Sequence, residues 1–143
     1  MDRLDGLRLD RIRLSRSQWE SVVVEAERLA PEETCGLLAG PADGKVEMVF
    51  PVTNILRSPV LFRMDAYEQL KAFQQIEENG WELLGIYHSH PRGPDQPSIT
   101  DIREAYYPEA VNIIIFATGG GWRCRGFYIR DGGIDEIPVV ILE

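Results

Sequence analysis

One segment constrains this chain more than any other. Glu82 to Ser89 (ELLGIYHS) is an apolar run that ends on a polar tripeptide, His88-Ser89-His90. A run this short, bounded by Asn79-Gly80 before it and Pro91 after it, reads as a buried strand. The remaining elements are predicted around it. Residues 7–14 are strand-like. Ser17 and Glu20 have the spacing of a capping box, and Trp19, Val22, Val23, Ala26 and Leu29 recur at helical spacing up to Ala30, before Pro31. Residues 34–39 and 45–52 read as strands around the turn Gly40–Gly44. Residues 53–60 read as an irregular loop and Leu61–Met64 as a short strand. Asp65 and Glu68 cap a second helix that stops at Asn79-Gly80. A loop over 91–97, a short helix over 100–106, strands over 111–117 and 122–129, and a last strand over 134–142 complete the order. That order predicts a mixed β-sheet flanked by helices, an α/β (α+β) layered fold, with residues 1–143 as one domain.

Composition narrows the function. The net charge of −8 is unlike the basic face of a non-specific nucleic-acid binder. No apolar run reaches the ~20 residues of a membrane helix. Met1–Leu14 alternates charge with leucine and lacks the unbroken apolar core of a signal peptide, so the expected location is cytoplasmic, with no membrane partner. Cys35 and Cys124 form no C-x-x-C pair and read as buried, reduced thiols. Gly119-Gly120-Gly121 lacks the G-K-[ST] of a phosphate loop and reads as a hairpin turn.

The chemistry concentrates after the buried strand. Side chains at i and i+2 of a strand share a face, so His88 and His90 can converge on one ion while Ser89 points away. Neutral imidazole is a good zinc ligand. Pro91 ends the strand, and the loop through Pro97 turns the chain back to Ser98 and Asp101 at a helix start. A carboxylate there can return as a third ligand, leaving a fourth position open. Taken singly, each feature also has a plainer reading: histidines at a polar strand end, and Ser98-x-x-Asp101 as a helix cap. Glu32 and Glu33 precede the apolar strand at Cys35; one could face a bound water, or both could be solvated.

Two separated motifs now show a resemblance. Pro31-Glu-Glu-Thr-Cys-Gly-Leu-Leu resembles the P-x-E-x-x-G-L-L segment of JAMM (MPN-plus) metallopeptidases, and His88-Ser-His-Pro-(x6)-Ser98-Ile-Thr-Asp101 resembles their H-x-H-P-x(6–8)-S-x-x-D signature. The resemblance spans roughly residues 10 to 130 and is nearest to small stand-alone prokaryotic members, some of which resemble the Mec-type peptidases that release cysteine from a ubiquitin-like sulfur-carrier protein. It implies a fold like that of cytidine deaminases. It implies one zinc ion (Zn2+) per chain, held by His88, His90 and Asp101, with Glu33 rather than Glu32 as the catalytic acid–base and Ser98 as the serine that polarises the scissile carbonyl. The implied substrate is a ubiquitin-like or sulfur-carrier protein cut after a Gly-Gly tail, entering between the 53–60 and 91–97 loops. The insertions with which eukaryotic members grip polyubiquitin have no room here. A non-catalytic MPN scaffold that binds protein partners is the alternative; a homodimer is left open. A zinc deaminase would need H-x-E and P-C-x-x-C, and neither is present.

Overall fold

The computed structural model describes residues 8–143. The elements are β1 (Ile12–Ser15), α1 (Arg16–Leu29), β2 (Cys35–Gly40), β3 (Met48–Val52), α2 (Ala66–Glu78), β4 (Glu82–His90), α3 (Ile99–Arg103), β5 (Val111–Thr118), β6 (Gly121–Arg130), β7 (Gly133–Ile137) and β8 (Val139–Leu142). Six strands form one sheet in the order β3-β2-β4-β5-β6-β7, and β1 pairs with β8 in a second, two-stranded sheet. Within the larger sheet β4 and β5 run parallel and the other pairs antiparallel. The predicted mixed sheet is therefore present, and β4, the apolar run, lies inside it.

Two faces of the sheet are covered differently. On one, α1 and the β1/β8 pair bury Leu38, Tyr87, Ile113, Ile115 and Tyr128 with Val22, Ile12 and Leu14. On the other, α2 packs Ala72 and Phe73 on Leu37 and Ile86, and Ile102 of α3 packs near Ile114 and Phe127. The result is three layers. Because β4 alternates, Tyr87 and Ser89 point to the α1 side, and His88 and His90 to the α2/α3 side.

Several predicted boundaries move, each for a local reason. The first strand, expected over 7–14, occupies Ile12–Ser15, and Leu7 lies outside the described residues. Ser15, not Ser17, caps α1: its Oγ accepts from Gln18 N, and Gln18 Oε1 accepts from Ser15 N. Gln18 also donates to Val46 O, a bond that Glu20 could not make as a carboxylate. The strand expected from Lys45 begins at Met48, because Val46 N donates to Arg13 O and Lys45 bridges Arg13. Leu61–Met64 is no strand, since Asn54 takes Leu61 O and Arg63 N with its side chain; Met64 alone bridges Asn54. The last strand divides at Pro138, which has no N–H to extend the ladder with β6. Its carbonyl instead accepts from Ile12 N, and β8 moves to β1. The third helix is shorter than 100–106 and stops at Arg103, ahead of Tyr107-Pro108. No described helix is long and apolar enough to cross a membrane.

Gly36 marks a close approach. A Cβ there would collide with the ring of Tyr87, which is 1% exposed and locked in the core. Gly36→Ala is expected to cost about 1–3 kcal/mol by overpacking, read as a lowered urea midpoint with unchanged slope.

Candidate metal centre

The centre forms where β4 ends. Antiparallel pairing sets Cys35 opposite His88, and parallel pairing sets Ile114 on its other side. His88 is 1% and His90 4% exposed. Phe62 stacks on the His88 ring with centroids 4.5 Å apart. His90 Nδ1 donates to Pro94 O at 2.8 Å, which fixes its tautomer and leaves Nε2 as an acceptor. The loop that supplies Pro94 is pinned by Arg125, which bridges Asp95 and Glu136.

Asp101 returns as the spacing predicts, and the plain helix-cap reading holds as well. Ser98 Oγ accepts from Asp101 N at 3.0 Å, and Asp101 Oδ2 accepts from Ser98 N at 2.9 Å. The same Oδ2 lies 3.1 Å from His88 Nε2 and 3.1 Å from His90 Nε2, and the two nitrogens are 3.0 Å apart. With His90 Nδ1 donating to Pro94 O, His90 Nε2 and Asp101 Oδ2 face each other as acceptors, and a cation among the three atoms would relieve their repulsion and let His88 Nε2 join them as a neutral-ring ligand. Ligands about 2.0 Å from a tetrahedral ion stand roughly 3.3 Å apart, so this triangle fits one small cation.

Glu33 is the other buried acid. Glu33, His88 and His90 offer ligand atoms within 4.8 Å of one another, so they too could hold a metal. The Asp101 triangle is tighter and better suited to direct ligation. Glu33 is 3% exposed, and its Oε1 has no hydrogen-bond partner among the described residues. Its main chain is clasped: Glu33 N donates to Ser58 O and Asn54 Nδ2 donates to Glu33 O. Glu32 turns outward to a loose ion pair with Arg57 at 3.8 Å. The two adjacent acids, equivalent by composition, are thus separated by burial.

Burial pushes the Glu33 carboxyl up to about 8; His90 opposes and Asp101 adds to the shift. Asp101 goes the other way: burial would raise it, but His88, His90 and the Ser98 N–H hold it well below the usual carboxylate range. Burial lowers His88, in keeping with a neutral ring.

Ser89 points away from the centre, as expected, but it is not idle. Its Oγ accepts from Thr34 N at 2.8 Å and so fixes the chain next to Glu33. Asn54, Phe62 and Pro94 were not legible from spacing; nothing in a one-dimensional pattern ties a loop asparagine to an acid 21 positions away. Cys35 is buried, and burial pushes its thiol up to about 12. Cys124 is half-buried rather than buried. Cys35 is therefore expected to resist iodoacetamide in the native protein and to react only on unfolding, a comparison read by mass spectrometry.

Residues 15–127 match the family described as prokaryotic homologs of the JAB domain. The chain is 37% identical over 126 residues to the CysO-cysteine peptidase of Mycobacterium tuberculosis, across 86% of each chain. It is 41% identical over 116 residues to a probable TtuB-protein conjugate cleaving protease of Thermus thermophilus, across 80% of this chain and 72% of that one. A solved structure from Desulfitobacterium hafniense superimposes with a TM-score of 0.83 at 39% identity, across 92% of this chain and 93% of that one. A JAB1/MPN domain protein from Archaeoglobus fulgidus shares the fold, with a TM-score of 0.55 at 21% identity across 91% and 98% of the two chains. These matches define the class, a hydrolase of a metal-dependent family, and the cluster at the end of β4 is its candidate centre. The chain belongs to the prokaryotic JAB family.

Proposed function

We propose that residues 1–143 form a one-domain zinc peptidase that hydrolyses the peptide or isopeptide bond following the C-terminal Gly-Gly of a ubiquitin-like or sulfur-carrier protein. The observation that carries this reading is the triangle of His88 Nε2, His90 Nε2 and Asp101 Oδ2, with sides of 3.0 to 3.1 Å. Two imidazoles and one carboxylate suit zinc and leave its fourth position open. His88, His90 and Asp101 would hold the zinc, which would supply the positive charge that acidifies an attacking water and polarises the scissile carbonyl.

The chain's own residues do the rest. Glu33 takes the water proton and returns it to the leaving nitrogen. Its unpartnered Oε1, raised toward neutrality by burial, suits a group that must both accept and give. Ser98 uses an oxygen lone pair on Asp101 N, so its own O–H remains to donate to the substrate oxygen. A cavity of about 310 Å³ opens beside His88 and Asp101, walled by Phe62, Met64, Tyr106 and Tyr107. It lies farther along the chain than the expected route between the 53–60 and 91–97 loops. An extended Gly-Gly tail fits it, since only glycine lets a backbone approach the centre this closely. The names of the Mycobacterium and Thermus relatives support the substrate class.

The test uses zinc-loaded protein and a ubiquitin-like protein ending in Gly-Gly-X, beside its Ala-Ala-X variant. Cleavage after Gly-Gly at a rate at least tenfold higher is expected. Equal rates would remove tail recognition; no cleavage by protein holding one zinc would favour a partner-binding scaffold. His88→Ala/His90→Ala should bind no zinc by elemental analysis.

A further inference from the structure

The face of the sheet that carries His88 also carries an arginine two strands away. Register sets His88 beside Ile114 on β5, and Ile114 beside Arg125 on β6. Side chains in one such row share a face, and two strand spacings make about 10 Å. Arg125 is held firmly there. Its Nη2 donates to Glu136 Oε1 at 2.7 Å and its Nε to Glu136 Oε2 at 2.9 Å, a bidentate pair with the edge strand β7. Its guanidinium carbon lies 5.1 Å from the centre of the Phe127 ring, and Phe127 is 2% exposed. With two nitrogens so fixed, Nη1 remains. It reaches Asp95, with Oδ2 at 3.1 Å and the main-chain oxygen at 3.3 Å.

The 91–97 loop has little else to hold its middle. Arg92 to Gln96 are all exposed, and Pro97 at the far end is the buried member. Pro91, Pro94 and Pro97 have no N–H to donate. Among the described residues, the loop's other hydrogen bonds run to the histidine itself, from Gly93 N to His90 O and from His90 Nδ1 to Pro94 O. Pro94 stands next to Asp95 in the chain. Its acceptor is a main-chain oxygen, so it stays beside the His90 ring only while the loop keeps its course.

A ligating imidazole is oriented by the bond that its other nitrogen makes. For His90 that bond is the one to Pro94 O. Without it the ring is free to turn or to take the other tautomer, and Nε2 no longer faces His88 and Asp101 as an acceptor. Charge alone acts the other way. Arg125 is a cation on the face that would hold a metal ion, so its removal by itself favours a positive ion there. Position and charge therefore give effects of opposite sign, and the sign can be measured.

We propose that Arg125 is a positioning residue for the metal centre: by tying Asp95 to Glu136 it holds the 91–97 loop so that Pro94 O keeps the His90 ring in the orientation and tautomer that ligate zinc. The inference rests on the zinc reading of the centre. It adds a residue that lies outside both sequence motifs, on a strand that supplies no ligand. The strap is partly exposed, Arg125 at 32% and Asp95 at 54%, so as an ion pair it adds little to the stability of the fold. Its effect falls on the loop.

Two measurements on the whole chain test it, and neither needs turnover. In the first, zinc affinity is read by competition with a chelator for wild type, Arg125→Ala, Arg125→Lys and Arg123→Ala, the last a control that removes an exposed arginine from the same strand. Loss of a group that orients a ligand weakens a metal site by about 10- to 100-fold, and Arg125 acts one step further out, so Arg125→Ala is expected to weaken zinc by about tenfold. Arg125→Lys keeps the charge and part of the contact and should recover some of that loss. Arg123→Ala should bind as wild type does. In the second, at saturating zinc, the His90 Nδ1–H proton, assigned through its own ring, should exchange with water severalfold faster in Arg125→Ala than in wild type. Zinc affinity unchanged or tightened in a folded Arg125→Ala protein overturns the proposal, and so does weaker zinc with no change in that exchange. Both results leave the zinc reading standing, whereas wild type that binds no zinc removes that reading and the proposal with it.

Discussion

Glu33→Gln is expected to lower kcat by about 10²- to 10⁴-fold while leaving the zinc content and the fold intact. The amide keeps the shape of the side chain but cannot take a proton from water. Its neighbours require no charge: Oε1 has no hydrogen bond to lose, and the clasp on residue 33 runs through backbone atoms. Glu32→Gln, altering a side chain that faces outward to Arg57, should cost no more than severalfold. Kinetics on the two variants beside their zinc stoichiometry decide the matter; a disabled Glu32→Gln with an active Glu33→Gln would exchange their roles. Metal-free protein gives an independent readout. Burial holds the Glu33 carboxyl near 8 in the fold, against 4.5 for its ordinary value. Between those values the folded chain keeps a proton that the unfolded chain has lost. This contribution to stability is complete below pH 4.5 and is lost as pH rises through about 8. Thermal unfolding of the metal-free protein should therefore occur several degrees higher in Glu33→Gln than in wild type at pH 8, with the gap closing near pH 4.5.

The clustering of the candidate residues was legible because the rules that bring them together are local. His88 and His90 fall on one face by strand periodicity, and Ser98 and Asp101 by helix-cap spacing, so short-range rules were enough to aim three side chains. The core strands were legible for a related reason: apolar runs such as Glu82–Ser89 and Val111–Ala117 have few alternatives to burial. What the pattern could not show was who satisfies the loops. The first helix begins at Ser15 because Gln18 can both cap and reach Val46 O, a contact 28 residues away. The chain after Val52 lacks the expected strand because an asparagine side chain replaces the ladder. Pro138 looked compatible with one terminal strand, yet its missing N–H divides that strand between two sheets. Each miss involves a backbone group whose partner is distant in sequence, where neither periodicity nor propensity carries information.

Asn54→Ala is the second substitution expected to have a large effect, although Asn54 has no hydrogen bond to the side chains of His88, His90 or Asp101 among the described residues. The side chain is 8% exposed and saturated: Nδ2 donates to Glu33 O and Leu61 O, and Oδ1 accepts from Leu56 N and Arg63 N. Alanine leaves four backbone groups to find water or remain unpaired. With a penalty of about 1–3 kcal/mol for each group left buried, and partial hydration of those nearer the surface, the loss should be about 2–4 kcal/mol. That corresponds to a fall in Tm of order 10 °C. Catalysis should suffer separately, because the same amide sets Glu33 from one side and the Phe62 wall from the other. At a temperature where circular dichroism shows the variant fully native and zinc is bound, kcat should still fall by about tenfold. Asn54→Asp keeps the two acceptor bonds to Leu56 N and Arg63 N but turns a carboxylate toward two carbonyls. It should therefore be at least as destabilised as alanine at neutral pH and recover on acidification as the carboxyl gains a proton and with it a donor. Native stability and native kcat in Asn54→Ala would show that the loop holds its course without this amide.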